Sequence, residues 1–82
     1  MTRVYSVENC PYCKELKEML TKDGIPFIEI DVNKPENESE FQKLFEITKC
    51  DDVPMVKHKN MIFVPNISFR SINELFLLIK SN

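Results

Sequence analysis

Two cysteines two residues apart, in the run Cys10-Pro11-Tyr12-Cys13, stand where a short apolar strand gives way to an amphipathic helix. A thiol at a helix N-terminus meets unpaired backbone N–H groups and the positive end of the helix dipole. Both favour the thiolate, which is the reactive form. Cys10, first in the motif and just outside the helix, is the expected nucleophile, because Cys13 at i+3 shares in stabilising its charge. Cys13, in the first turn, is the expected resolving thiol.

The flanking residues supply the elements that such a pair needs. Arg3 to Val7 is rich in β-branched and aromatic residues and reads as a strand. From Tyr12 to Asp23 the apolar residues Cys13, Leu16, Met19 and Leu20 fall at helical spacing, and Gly24 and Pro26 supply the stop. Phe27 to Val32 alternates as a second strand, parallel to the first if the helix is its crossover. After a linker over Asn33 to Glu36, Asn37 and Glu40 resemble a capping box opening a second helix, with Phe41, Leu44 and Phe45 as its buried stripe. Met55-Val56-Lys57 and Met61 to Val64 read as a hairpin about Lys59-Asn60. Ser71-Ile72-Asn73-Glu74 is a Ser-x-x-Glu capping box, and the helix it opens turns Ile72, Leu75, Leu78 and Ile79 inward. The expected order is β-α-β-α-β-β-α.

At 82 residues the chain reads as a single domain over 1–82, of two layers at most. A charged content of 29% with a net charge of -2 implies neither nucleic acid nor an anionic membrane as partner. No apolar run is long enough to span a bilayer, and the N-terminus lacks a signal-peptide core, so the expected location is cytoplasmic. Three cysteines, an odd number, fit a reducing compartment with one reactive pair. The lone Gly24 excludes a glycine-rich phosphate loop.

A competing reading makes Cys10, Cys13, Cys50 and His58 a structural zinc set. Zinc knuckles, however, place their cysteines on tight turns, usually with glycine, whereas this motif feeds a helix. Cys50 is expected to pack as a small hydrophobe, with a regulatory or glutathionylation site as the alternative. His58, between two lysines, reads as a solvated turn residue, and Phe41, Phe45, Phe63 and Phe76 read as core.

These features together resemble a dithiol glutaredoxin of the thioredoxin superfamily. The likeness rests on the Cys10-Pro11-Tyr12-Cys13 motif, its place between first strand and first helix, the element order, and Val53-Pro54 before the third strand. It implies an α/β thioredoxin-like fold, a four-stranded mixed sheet flanked by three helices, and a thiol–disulfide oxidoreductase. It further implies a cis Val53-Pro54 bond facing the cysteines, with the Val53 backbone free to pair with an incoming thiol peptide. Tyr12, Val53, Pro54, Arg70 and the capped helix start at Ser71, Ile72 and Asn73 would contact substrate or glutathione. Glutathione would serve as reductant and co-substrate, with no tightly bound cofactor and no metal. Partners would be disulfide-bonded or glutathionylated proteins, met by a monomer.

The chain departs from this family around glutathione. Val7 stands where a lysine is common, Asp51-Asp52 where threonine precedes Val-Pro, and Pro65 to Arg70 where a Gly-Gly turn is usual. Arg70 is a candidate for the missing cation. Phe69-Arg70 before a helix also resembles the small redoxins that serve ribonucleotide reductase and take electrons from thioredoxin reductase, so the electron donor stays open between the two. An iron–sulfur module shared by two copies is disfavoured by Pro11 and Tyr12, where cluster-binding members usually have smaller residues.

Overall fold

The computed structural model describes residues 1–82. Its elements are β1 (Thr2–Ser6), α1 (Pro11–Lys22), β2 (Phe27–Asp31), a 3-10 turn (Pro35–Asn37), α2 (Glu38–Thr48), β3 (Met55–His58), β4 (Met61–Phe63) and α3 (Ile72–Ser81). The order matches the one expected from the sequence. The strands lie in the order β2-β1-β3-β4, with β1 and β2 parallel and the other two pairings antiparallel. No helix is long and apolar enough to cross a membrane.

Local chemistry accounts for the element ends. Pro11 opens α1, where its fixed φ suits the helix and its missing N–H leaves no bond unmade. The helix closes at Asp23, whose N–H reaches the Met19 carbonyl at 3.1 Å, and Gly24 follows at φ +73°. Lys59, at φ +56°, turns the tight β3–β4 hairpin that pairs His58 with Met61. At α3 the Ser71 hydroxyl accepts from the Glu74 N–H at 3.1 Å, as a capping box requires. The Glu74 carboxylate, however, reaches one residue further back, to the Arg70 N–H at 2.7 Å.

The expectation of two layers at most does not hold, because the sheet is apolar on both faces. Along β1 and β3, Val4 and Val56 point to one side and Tyr5 and Met55 to the other. The first side packs on Leu16 and Leu20 of α1 and on Ile72, Leu75 and Ile79 of α3, closing over Phe63 and Phe69. Each fully buried leucine there contributes about 1.5–3 kcal/mol of transfer free energy. The second side, with Ile30 and Val64, is covered by α2 through Leu44.

The second helix also differs from its sequence reading. Asn37 makes no side-chain cap; its amide donates instead to the Asp31 carbonyl at 2.9 Å, tying the 3-10 turn to the end of β2. Glu40 is likewise no capping partner. Its carboxylate accepts from Arg3 Nε at 2.9 Å and Arg3 Nη2 at 2.8 Å, and from the Tyr5 hydroxyl. Leu44 is buried and Phe41 half-buried, its ring centroid 6.2 Å from that of Tyr5, but Phe45 is 38% exposed. The face turned to the sheet is centred on Leu44, which leaves Phe45 at its margin.

Strand register decides where the ends of these elements meet. Tyr5 pairs with Met55, so the chain leaving β1 towards Cys10 passes the chain entering β3 from Pro54. Val56 pairs with Phe63, so the exit of β4, and with it the approach to α3, comes to the same end of the sheet.

Candidate active site

Cys10 and Cys13 are joined in a disulfide, their Cα atoms 5.3 Å apart. Cys10 is the N-cap of α1, and its sulfur accepts the Cys13 N–H at 3.2 Å. The helix thus aims a backbone donor at this sulfur, and a positive dipole end lies behind it. Burial separates the two sulfurs: Cys13 is 1% exposed beneath the helix, whereas Cys10 is only partly covered.

Tyr12, between the two cysteines, borders a groove of about 580 Å³ built from four separate stretches, with neither cysteine in its lining. Tyr12 contributes from α1, and Val53-Pro54, joined by a cis peptide bond, from the entry to β3. Arg70, Ser71, Ile72 and Asn73 contribute from the start of α3. All seven residues expected to contact substrate or glutathione are therefore brought together. Glu15, Asp52, Pro65, Asn66 and Phe69 also line this groove; the sequence reading places all but Glu15 near it only as departures from the family pattern. Glu15 had a signal, since it lies three residues beyond Tyr12 and so on the same helix face. Asn66 enters through a compact loop at φ +64°, closed by its own N–H on the Phe69 carbonyl at 2.9 Å. That loop spans the stretch where the sequence departs from a Gly-Gly turn.

A second depression, also about 580 Å³, opens on another side of Cys10 and is lined in part by Val7, Glu8, Lys14, Lys17 and Glu29. Lys17 forms an ion pair with Glu29, which also accepts the Ser6 hydroxyl at 2.9 Å. The hydrogen bond from Lys17, and secondarily that from Ser6, hold the Glu29 carboxyl below the usual range although partial burial opposes them. With Lys17 so paired, the cation left free beside Cys10 is Lys14, which enters no ion pair.

The four residues of the competing zinc reading do not come together, and no three metal-ligating side chains are grouped anywhere in the protein. Cys50 packs half-buried against the cluster around Met55. His58 is not a solvated turn residue. It ends β3 half-buried, with Nδ1 2.7 Å from the Thr2 hydroxyl and Nε2 2.9 Å from the Asn82 carbonyl.

A family model for glutaredoxins matches residues 3–61, well over half of the chain. The chain belongs to the glutaredoxin family. It is accordingly a thiol–disulfide oxidoreductase, and its bonded cysteines are the redox-active pair. This glutaredoxin is 33% identical over 78 residues to glutaredoxin-2 of Schizosaccharomyces pombe, a match covering 94% of this chain and 71% of that one. It is also 33% identical over 64 residues to an uncharacterized glutaredoxin-like 8.6 kDa protein in the rubredoxin operon of Clostridium pasteurianum, over 78% of this chain and 83% of the relative. Among solved structures, a buckwheat glutaredoxin in complex with glutathione superposes with a TM-score of 0.72 at 16% identity, over 98% of this chain and 68% of that one. The glutaredoxin of Brucella melitensis superposes with a TM-score of 0.62 at 24% identity, over 99% and 79%. The fold of this glutaredoxin is thus thioredoxin-like, a four-stranded mixed sheet with three helices.

Proposed function

We propose that this glutaredoxin is glutathione-dependent, reducing protein disulfides and glutathione mixed disulfides in the cytoplasm, with Cys10 as nucleophile and Cys13 as resolving thiol. The observation that carries the reading is the groove beside the disulfide, where Tyr12, cis Val53-Pro54 and the capped start of α3 converge. Free N–H groups at that helix start suit a carboxylate, and Arg70 adds a cation. The fold neighbour from buckwheat, solved with glutathione, supports the same ligand class.

In the reduced enzyme the Cys10 thiolate, stabilised by the Cys13 N–H, attacks a substrate sulfur. A mixed disulfide forms and one substrate thiolate leaves. With a protein disulfide, the Cys13 thiolate then attacks the Cys10 sulfur, expels the second substrate thiolate and closes the Cys10–Cys13 bond. Two glutathione molecules reopen it and leave as glutathione disulfide. With a glutathionylated protein, Cys10 takes the glutathionyl group, a second glutathione removes it, and Cys13 is not needed. The burial difference supports the assignment, since an incoming thiolate reaches the sulfur of Cys10 and not that of Cys13.

A second reading, in which thioredoxin reductase is the electron donor and ribonucleotide reductase a partner, is favoured by Glu15 and Asp52. Their carboxylates line the groove where an anionic tripeptide would lie. One assay separates the two: reduction of a glutathione mixed disulfide, coupled to glutathione, glutathione reductase and NADPH. Turnover that is lost in Cys10→Ser and kept in Cys13→Ser supports the first reading. No turnover, together with reduction of the Cys10–Cys13 bond by thioredoxin reductase, overturns it in favour of the second.

A further inference from the structure

The groove beside the disulfide carries charges that nothing inside the protein neutralises. The ion pairs of the molecule are Arg3–Glu40, Lys17–Glu29 and Lys80–Asp23, so Glu15, Asp52 and Arg70 enter none of them. No side chain of the three donates or accepts a hydrogen bond within the protein, although all three line the groove. Their arrangement is uneven. Glu15 lies one turn along α1 from Tyr12, and Asp52 directly precedes Val53, so the two carboxylates bracket the segments next to the cysteine pair. The single guanidinium, Arg70, stands at the start of α3. The cations Lys14 and Lys17 line the other depression, and Lys17 is held by Glu29.

We propose that this groove selects substrate disulfides flanked by lysine or arginine, and that Glu15 and Asp52 set the preference. The proposal rests on the thiol–disulfide exchange reading above and names the substrate class of that same site. A segment lying along the groove while its sulfur meets Cys10 brings the residues beside its cysteine against Tyr12, Glu15, Asp52 and Val53. A cationic neighbour there meets unpaired carboxylates, and an acidic neighbour meets like charge. Both groups are exposed, so each contributes modestly, and the two together give a preference of about three- to tenfold. Part of it arises from steering during encounter, and all of it weakens with salt.

The test uses three symmetric peptide disulfides that differ only in the residues flanking cysteine: lysine, glutamine or glutamate. Exchange rates with the reduced protein are divided by those with β-mercaptoethanol, a neutral thiol, which cancels the effect of the peptide charges on the disulfide itself. The expected order is lysine above glutamine above glutamate, compressed at high salt and collapsing in the Glu15→Gln, Asp52→Asn double variant. In Glu15→Lys, Asp52→Lys the order inverts. Equal normalised rates for all three peptides overturn the proposal and leave thiol–disulfide exchange standing. A preference that survives in the double variant overturns the assignment to Glu15 and Asp52. Failure of the wild-type protein to exchange with even the glutamine peptide overturns the reading on which the proposal rests.

Discussion

Glu40 illustrates how one residue can be read correctly as helical and incorrectly as to its partner. Its spacing from Asn37 fits a capping box, yet its carboxylate spans to β1 and binds Arg3 and the Tyr5 hydroxyl. The ion pair itself contributes little, because its side chains are 33% and 36% exposed. What makes Glu40 matter is Tyr5, which is 1% exposed and has no other acceptor for its hydroxyl. Glu40→Ala strands that hydroxyl and is expected to destabilise the protein by about 1–3 kcal/mol in urea unfolding. Glu40→Gln, which keeps an acceptor, should cost clearly less. Equal losses in the two variants would show that charge, not the buried hydroxyl, is at stake. Cys10 and Cys13 are the opposite case: their helix-start position and the N–H donated to Cys10 follow from residues three apart, and the sequence showed both.

Among the helices, α2 stands apart. It buries one residue, Leu44, whereas α3 buries three and β1 four. Its other fastenings are the half-buried Phe41 and the Glu40 carboxylate, and Ile47 is left 70% exposed. An element held by so little apolar contact opens locally before the whole chain unfolds. Native-state hydrogen exchange should therefore find α2 amides protected well below those of β1 and β3, with Glu40→Ala lowering α2 protection further. Equal protection of α2 and β1 would mean that the helix opens only with the sheet. The sequence located this helix within a residue of its observed start but overstated its apolar face, since helical periodicity does not show where the covered part of a sheet ends. The site-bearing ends of α1 and α3 were plainer, because Pro11 and the Ser71–Glu74 cap are local signals.

For the molecule as a whole, stability should be flat near neutral pH and fall on both sides. Lys17 and then Ser6 hold the Glu29 carboxyl low, and at Glu40 burial opposes the charge but the hydrogen bonds from Tyr5 and Arg3 outweigh it, so both carboxyls are held below the ordinary range. Their contribution is full above the unfolded value of about 4.3 and is lost as pH falls through the lower folded values. Burial, and then the bond to Glu40, push the Tyr5 hydroxyl upward. Its contribution is full below about pH 10 and is lost as pH rises beyond it. Thermal midpoints across pH should accordingly show an acid limb made shallower by Glu29→Gln with Glu40→Gln, and an alkaline limb made shallower by Tyr5→Phe. Unchanged limbs would place the titrating groups elsewhere. By itself the sequence determined the order of elements, the hairpin, the Ser71 cap of α3 and the placing of the cysteine pair, because periodicity, capping and turn chemistry act between residues a few positions apart. Likeness to a family, rather than spacing, pointed to the groove residues from Tyr12 to Asn73. Only the tertiary structure decided that α2 covers the second face of the sheet, that Glu40 answers Tyr5 and Glu29 answers Lys17, and that Glu15 and Asp52 share a groove with Arg70. Those pairings depend on strand register and on how helices lie across the sheet, which couple residues far apart in the chain through packing that no local pattern records.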